Sequence, residues 1–246
     1  MEDVRALFGG DEQEDGRVVY GDYQLEVAPK EGRANTLLAD QLFSPALLFA
    51  EQIELGRVPV AGRTVLELGA GAGLPSLLAV AQGAAKVVAS DYPDALILAT
   101  LRANVCSAGV LVEPYEWGTD PSALLAHTPA SEPNNNDTPT EGFDVLLLSD
   151  LLHFADEHGA LLDSVDRLLR KDGGARVYVA AGRYTKPAVC ERFVLGAQSR
   201  GLVLDEWEIT ADAPWEVQST LKGVDGEGMA ARKRNCRMWA GRWAGV

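Results

Sequence analysis

Cysteine, basic side chains and long apolar runs are all scarce in this 246-residue chain. The three cysteines, Cys106, Cys190 and Cys236, are far apart and odd in number. No disulfide framework or metal-ligand spacing can be built from them, so they read as free thiols of a reducing compartment. Lys and Arg number 22 against 36 Asp and Glu, a formal charge of −14. Phosphate backbones need a basic footprint, so nucleic acid is not the expected partner, whereas a basic protein or a cationic ligand is. No apolar run reaches the roughly 18 residues of a membrane span. The N-terminal Met1-Glu2-Asp3-Val4-Arg5 lacks the basic-then-apolar pattern of a secretory signal. A soluble cytosolic or nuclear protein is expected, with the cytoplasm as its place. The three histidines, His127, His153 and His158, form no metal constellation and no nucleophile–His–Asp order.

Apolar residues make up 47% of the chain, enough for a core that needs neither disulfide nor structural metal. The first 16 residues carry six acids and read as a mobile acidic arm. Residues 17–62 read as an N-terminal extension, with a hairpin over 17–27 and a helix over about 38–56. Leu37, Leu38, Leu42, Phe43, Leu47 and Leu48 give that helix its spacing, with Pro45 near a turn or kink. Over 63–246, strands are predicted at 64–68, 86–90, 110–115, 143–149, 175–181, 202–209 and 236–243. Helices are predicted at 74–82, 93–107, 156–170 and 187–200. Residues 143–149 (FDVLLLS) are almost continuously apolar, as befits a parallel strand covered on both faces. Residues 127–142 (HTPASEPNNNDTPTEG) are polar and rich in Pro and Asn, and read as a disordered surface insertion. The whole predicts an α/β fold built on one doubly wound, mostly parallel seven-stranded sheet.

The first strand of that domain runs into Glu67-Leu68-Gly69-Ala70-Gly71-Ala72-Gly73-Leu74. Glycines permit a tight turn and a close ligand approach, but a glycine turn alone is weak evidence. Leu74 stands where the dinucleotide fingerprint needs Gly or Ala, and no P-loop lysine follows. The second strand ends in Asp91, 20 residues beyond Gly71, where an acid can accept both ribose hydroxyls. Glu67, just before the turn, suits a ligand with an ammonium group rather than a pyrophosphate. S-adenosylmethionine, with a ribose, an amino-acid end and no phosphate, fits best. A nicotinamide cofactor and a purely structural turn stand as alternatives.

These residues carry a resemblance. The turn ELGAGAGLPS, the strand end SDYPD, LRANV at 101–105 and EWG at 116–118 resemble the seven-strand protein N-methyltransferases. More narrowly, they resemble the fungal, nicotinamide N-methyltransferase-like subgroup that methylates elongation factor 1A on lysine or the N-terminus. The resemblance covers about 37–243 and implies a Rossmann-like class I methyltransferase fold. It implies that Gly69, Ala70, Gly71 and Gly73 pass under the methionine part of the cofactor. Asp91, with Tyr92 beside it, takes the ribose, Trp117 packs on the adenine, and Ser149 lies beside the sulfonium. Phe43 stands where the family usually has a Trp touching the cofactor. After Asp150 the family has an aromatic three residues on, or a Phe-Asn pair in the fungal subgroup. This chain has His153 there.

Methyl transfer from a sulfonium is an in-line displacement, so alignment of the nucleophile matters more than acid catalysis. A lysine amine must also shed a proton, and an N-terminal amine sheds it more readily. Asp150 can hold the amine. His153 can take its proton, shape the pocket, or be a satisfied structural histidine. Trp117 can also be core packing, and Tyr184 can border the substrate or be a loop aromatic. His127 falls in the insertion, His158 at an exposed helix start, and Arg232-Lys233-Arg234 in a solvated turn. Three function classes follow: a protein amine methyltransferase, a small-molecule (nicotinamide-like) N-methyltransferase, and a cofactor-binding scaffold without catalysis. The intact Glu67, Asp91 and Asp150 count against the last.

Overall fold

Within residues 17–29, 32, 37–129 and 141–245, which the computed structural model describes, the chain opens with an antiparallel hairpin. Its strands are β1 (Arg17–Tyr20) and β2 (Tyr23–Glu26). The acidic arm expected at 1–16 and residues 130–140 of the expected insertion lie outside the described residues. Helix α1 (Ser44–Glu54) is shorter than the 38–56 expected from leucine spacing. Leu38 has φ 58°, a left-handed conformation no helix interior accepts, so the segment before Ser44 is irregular. Pro45 does not kink the helix. It sits in the first turn, where its missing N–H costs nothing.

The main domain then alternates. It runs β3 (Thr64–Leu68), α2 (Leu74–Ala81), β4 (Lys86–Asp91), α3 (Ala95–Val105), β5 (Leu111–Pro114) and the single turn α4 (Ser122–Leu125). It continues with β6 (Val145–Ser149), α5 (His158–Leu168), β7 (Arg176–Gly182), α6 (Pro187–Gln198), β8 (Leu202–Trp207), α7 (Gly226–Arg234) and β9 (Cys236–Trp243). The seven-stranded sheet has the order β5-β4-β3-β6-β7-β9-β8, and β9 alone runs antiparallel to its neighbours. The chain winds outward from β3 to β5, then returns to β6 on the other side of β3. The strand order therefore reverses between β3 and β6, and a crevice opens there at the carboxyl ends. Alternate residues fill two cores: Val65, Val145 and Leu147 on one face, Leu66, Leu68, Leu146 and Leu148 on the other. Each such side chain contributes roughly 1.5–3 kcal/mol of burial. Among the described residues no helix is long and apolar enough to cross a membrane.

Three expectations about polar residues are corrected. Arg232-Lys233-Arg234 is not a solvated turn but the last turn of α7. Lys233 is buried there, with Nζ 2.8 Å from Glu216, 3.0 Å from Glu51 and 2.9 Å from the Pro214 carbonyl. Helix α7 has almost no apolar stripe. Its helicity comes from Asp225, whose side chain caps Gly228 N–H, and from a basic last turn that suits the helix dipole. His158 is buried rather than exposed, its Nε2 2.9 Å from the Leu152 carbonyl and its ring edge-on to Phe193. His127 is anchored at the sheet edge, with Nε2 2.7 Å from Glu113 on β5.

Candidate functional site

At the end of β3 the chain turns through three left-handed glycines, Gly69 (φ 65°), Gly71 (φ 53°) and Gly73 (φ 81°). A side chain is disfavoured at each on backbone grounds alone. A Cβ on Gly69 would also meet the Leu151 side chain at 2.7 Å, whereas no described residue lies within 4 Å of one on Gly71. The Gly71 backbone thus faces open space. Asp91, at the end of β4, holds the turn in place: its carboxylate accepts from Gly71 N–H and Tyr92 N–H, both at 2.7 Å. Burial outweighs those two donors and pushes its pKa up to about 6.

Glu67 on β3 is fully buried. Its Oε2 accepts from Ser76 N–H (3.0 Å) and Ser76 Oγ (2.6 Å), while Oε1 has no partner among the described residues. Burial raises its pKa to about 8. Part of what was expected of Glu67 is therefore taken by the first turn of α2, and one oxygen remains for a ligand.

A cavity of about 320 Å³ opens at this crevice. Glu67, Gly69, Ala70 and Gly71 form its floor, and Phe43 closes it from the segment before α1. Asp91, Tyr92, Trp117, Ser149, Asp150 and His153 also line it. Gly73 is not on its wall; it packs on α3, where a Cβ would fall under 3 Å from Val105 and Leu101. Sequence reading missed Phe154, Glu116 and Glu157, which also line the cavity. Phe154 sets its ring edge-on to Trp117 at 5.8 Å and against His153 at 3.9 Å. Also missed was Asn104 of LRANV. It accepts from Glu26 N–H and donates to the carbonyls of Glu26 and Ala72, tying the hairpin to the glycine turn. Only the motif it sits in pointed to it.

The electrostatics select the ligand. Among the described residues, five carboxyls line the cavity (Glu67, Asp91, Glu116, Asp150 and Glu157) and no Lys or Arg does. A pyrophosphate would meet five carboxyls there and no described cation, which disfavours a dinucleotide. An adenosyl group whose amino-acid end carries an ammonium fits the residues present: the unpartnered Glu67 oxygen suits the ammonium, Asp91 suits vicinal hydroxyls, and Trp117 suits a flat ring.

Asp150 follows β6 and is tied to β7. Asp150 has φ 60°, and its N–H donates to the Ala180 carbonyl at 2.8 Å. Its Oδ1 accepts from Gly182 N–H at 3.2 Å, and its Oδ2 accepts from the Tyr184 hydroxyl. Burial lifts its pKa to about 7 against both donors. His153 has both ring nitrogens buried, and burial lowers its pKa, so the ring is neutral at physiological pH. The Asp150 backbone favours the protonated ring but makes no well-formed hydrogen bond to it.

Comparison with known proteins agrees with this architecture. A lysine methyltransferase family model matches residues 39–187. A protein N-terminal and lysine N-methyltransferase of Gibberella zeae is 34% identical over 208 residues, covering 75% of this chain and 77% of that protein. One of the same description from Neurospora crassa is 33% identical over 193 residues, covering 72% of this chain; the chain spans 66% of its length. Among solved structures, a SAM-dependent methyltransferase from Aquifex aeolicus superposes with TM-score 0.53 at 15% identity, covering 84% of this chain and 96% of that one. The fold is that of the class I methyltransferases, with the cavity at the switch point of the sheet. Within that class the chain belongs to the lysine methyltransferase family.

Proposed function

We propose that the protein transfers a methyl group from S-adenosylmethionine to an amine of a basic cytoplasmic protein, elongation factor 1A, at a lysine or the processed N-terminus. The observation that carries this reading is a cavity that the described residues line with five carboxyls, Asp150 among them, and no Lys or Arg. That the fungal relatives are protein N-terminal and lysine N-methyltransferases supports the acceptor class, and the sequence resemblance supports the elongation factor. The formal charge of −14 favours encounter with a basic partner.

When bound, the cofactor supplies a methyl on a sulfonium, already a good leaving group. The chain's own residues bind, orient and exclude water. Asp91, with Tyr92 beside it, receives the ribose. Trp117 packs on the adenine, a contact worth roughly 1–3 kcal/mol by analogy with base stacking. Glu67 receives the ammonium, with Gly69, Ala70 and Gly71 beneath. Phe43 and Ser149 complete the wall. Asp150 receives the acceptor amine, and His153, neutral and buried in the same cavity, either takes the proton or shapes the pocket wall.

Purified protein is incubated with labelled cofactor and, separately, elongation factor 1A and nicotinamide. Label on the elongation factor is expected, with Asp150→Asn lowering turnover more than cofactor affinity. Efficient labelling of nicotinamide alone would replace this reading with the small-molecule one. His153→Phe separates its two roles: a proton acceptor predicts activity that recovers at high pH, a pocket wall predicts no recovery.

A further inference from the structure

The turn that follows β7 reaches back to the acceptor end of the cavity. Its backbone is pinned from below: Arg183 N–H donates to the Asn235 carbonyl at 2.7 Å, and Arg183 Nε to the Arg234 carbonyl at 2.8 Å. Thr185 N–H closes the turn on the Gly182 carbonyl at 3.0 Å. Tyr184 folds back over this turn so closely that a Cβ on Gly182 would lie 2.0 Å from its ring. That approach lets the phenol hydroxyl donate to Asp150 Oδ2, while Gly182 N–H donates to Oδ1. Both carboxyl oxygens are thus held from the β7 side, at a residue whose own backbone is in the left-handed region. The aspartate is almost fully buried, whereas Tyr184 is 43% exposed and reaches it from outside the residues that line the cavity.

We propose that Tyr184 is a positioning residue of the acceptor site: its hydroxyl keeps Asp150 an oriented carboxylate for a cationic primary amine, and Gly182 gives the ring its room. This rests on the reading of Asp150 as the group that receives the amine. The physical reason is the competition inside the pocket. Burial drives Asp150 towards its neutral form, and the phenol opposes it more strongly than Gly182 N–H does. A hydrogen bond donated to the charged form favours it, so without the phenol the carboxyl takes up a proton at higher pH. The other groups facing Asp150 do not replace it. Cys236, under the turn, is buried and its thiol pushed up towards the neutral form. His153 is neutral, Arg183 is engaged with α7, and the remaining cavity carboxyls are acids that oppose ionisation.

The test is Tyr184→Phe, which keeps the ring and removes the hydroxyl. A carbon-13 titration of the Asp150 carboxyl in the full chain should show its midpoint rising by about one pH unit in the variant. The acceptor KM should rise roughly tenfold at pH 6.5 and much less at pH 8.5, while cofactor affinity and kcat at pH 8.5 change less than about threefold. Gly182→Ala, which displaces the ring, should reproduce the KM effect. An Asp150 midpoint unchanged by Tyr184→Phe, or an activity loss equal at every pH, would overturn the inference. The titration needs no acceptor, so its outcome stands even if the wild-type protein labels no protein amine and the functional reading itself fails.

Discussion

Glu67 presents one carboxylate oxygen to Ser76 and leaves the other buried without a partner among the described residues. With a pKa raised to about 8 it holds a proton at pH 7 in the ligand-free protein. An arriving ammonium favours the ionised form, so binding must expel that proton. Calorimetry at pH 7 in buffers of different ionisation enthalpy should register release of about one proton per cofactor, and Glu67→Gln should abolish it. Asp91 has a different task, since it organises Gly71 as well as facing the cavity. Asp91→Ala removes charge-assisted hydrogen bonds of roughly 1.5–3 kcal/mol, so the dissociation constant should rise about ten- to hundredfold. An unchanged constant by titration would remove Asp91 from the ribose site. These two acids were legible in sequence because the glycine turn and the strand ends fix their places. The sharing of Glu67 with Ser76, nine residues on, was not, because it depends on how α2 packs its first turn over β3.

Helix α7 shows where legibility ends among the elements. Buried strands such as β6 announce themselves as apolar runs, and α2 is announced by glycines and Pro75. In α7 only Met229, Ala230 and Lys233 are buried, so periodicity carries no signal. The partner that makes Lys233 intelligible, Glu51, lies on α1, 182 residues earlier in the chain. The leucines of 37–43 mislead in the opposite direction: they have helical spacing, yet the segment lines the cavity in an irregular path. Because Glu51 is fully buried, Lys233→Met leaves a buried acid with one cation fewer, and about 3–5 kcal/mol of stability should be lost. Chemical denaturation checks this; Glu51→Gln combined with Lys233→Met should recover much of the loss. Asn104→Ala should loosen the glycine turn, weakening cofactor binding severalfold and lowering the melting temperature by a few degrees.

At the scale of the whole molecule, three cavity acids titrate abnormally high. Glu67, Asp150 and Asp91 have folded pKa values raised to about 8, about 7 and about 6. The folded state therefore keeps protons that the unfolded chain gives up above pH ~4.5. The stability these groups confer is complete below that pH and is lost as pH rises through their folded values. Glu216, held down to about 2 by Arg57 and Lys233, acts with the opposite sign and loses its contribution as pH falls below ~4.5. The ligand-free protein should thus melt at progressively lower temperature from about pH 5.5 to 8, a slope that Glu67→Gln flattens. A melting temperature that climbs over this range would show that the acids are solvated or paired.

Strand β9 comes last of the elements, yet it lies between β7 and β8, pairing with both along its length. During synthesis, β7 and β8 must wait on the ribosome with open edges until residues 236–243 leave the exit tunnel, a window in which chaperones or neighbouring nascent chains can claim those edges. A premature stop after Asn235 would spare every residue of the cavity and still leave a chain destined for the cell's degradation machinery rather than for catalysis.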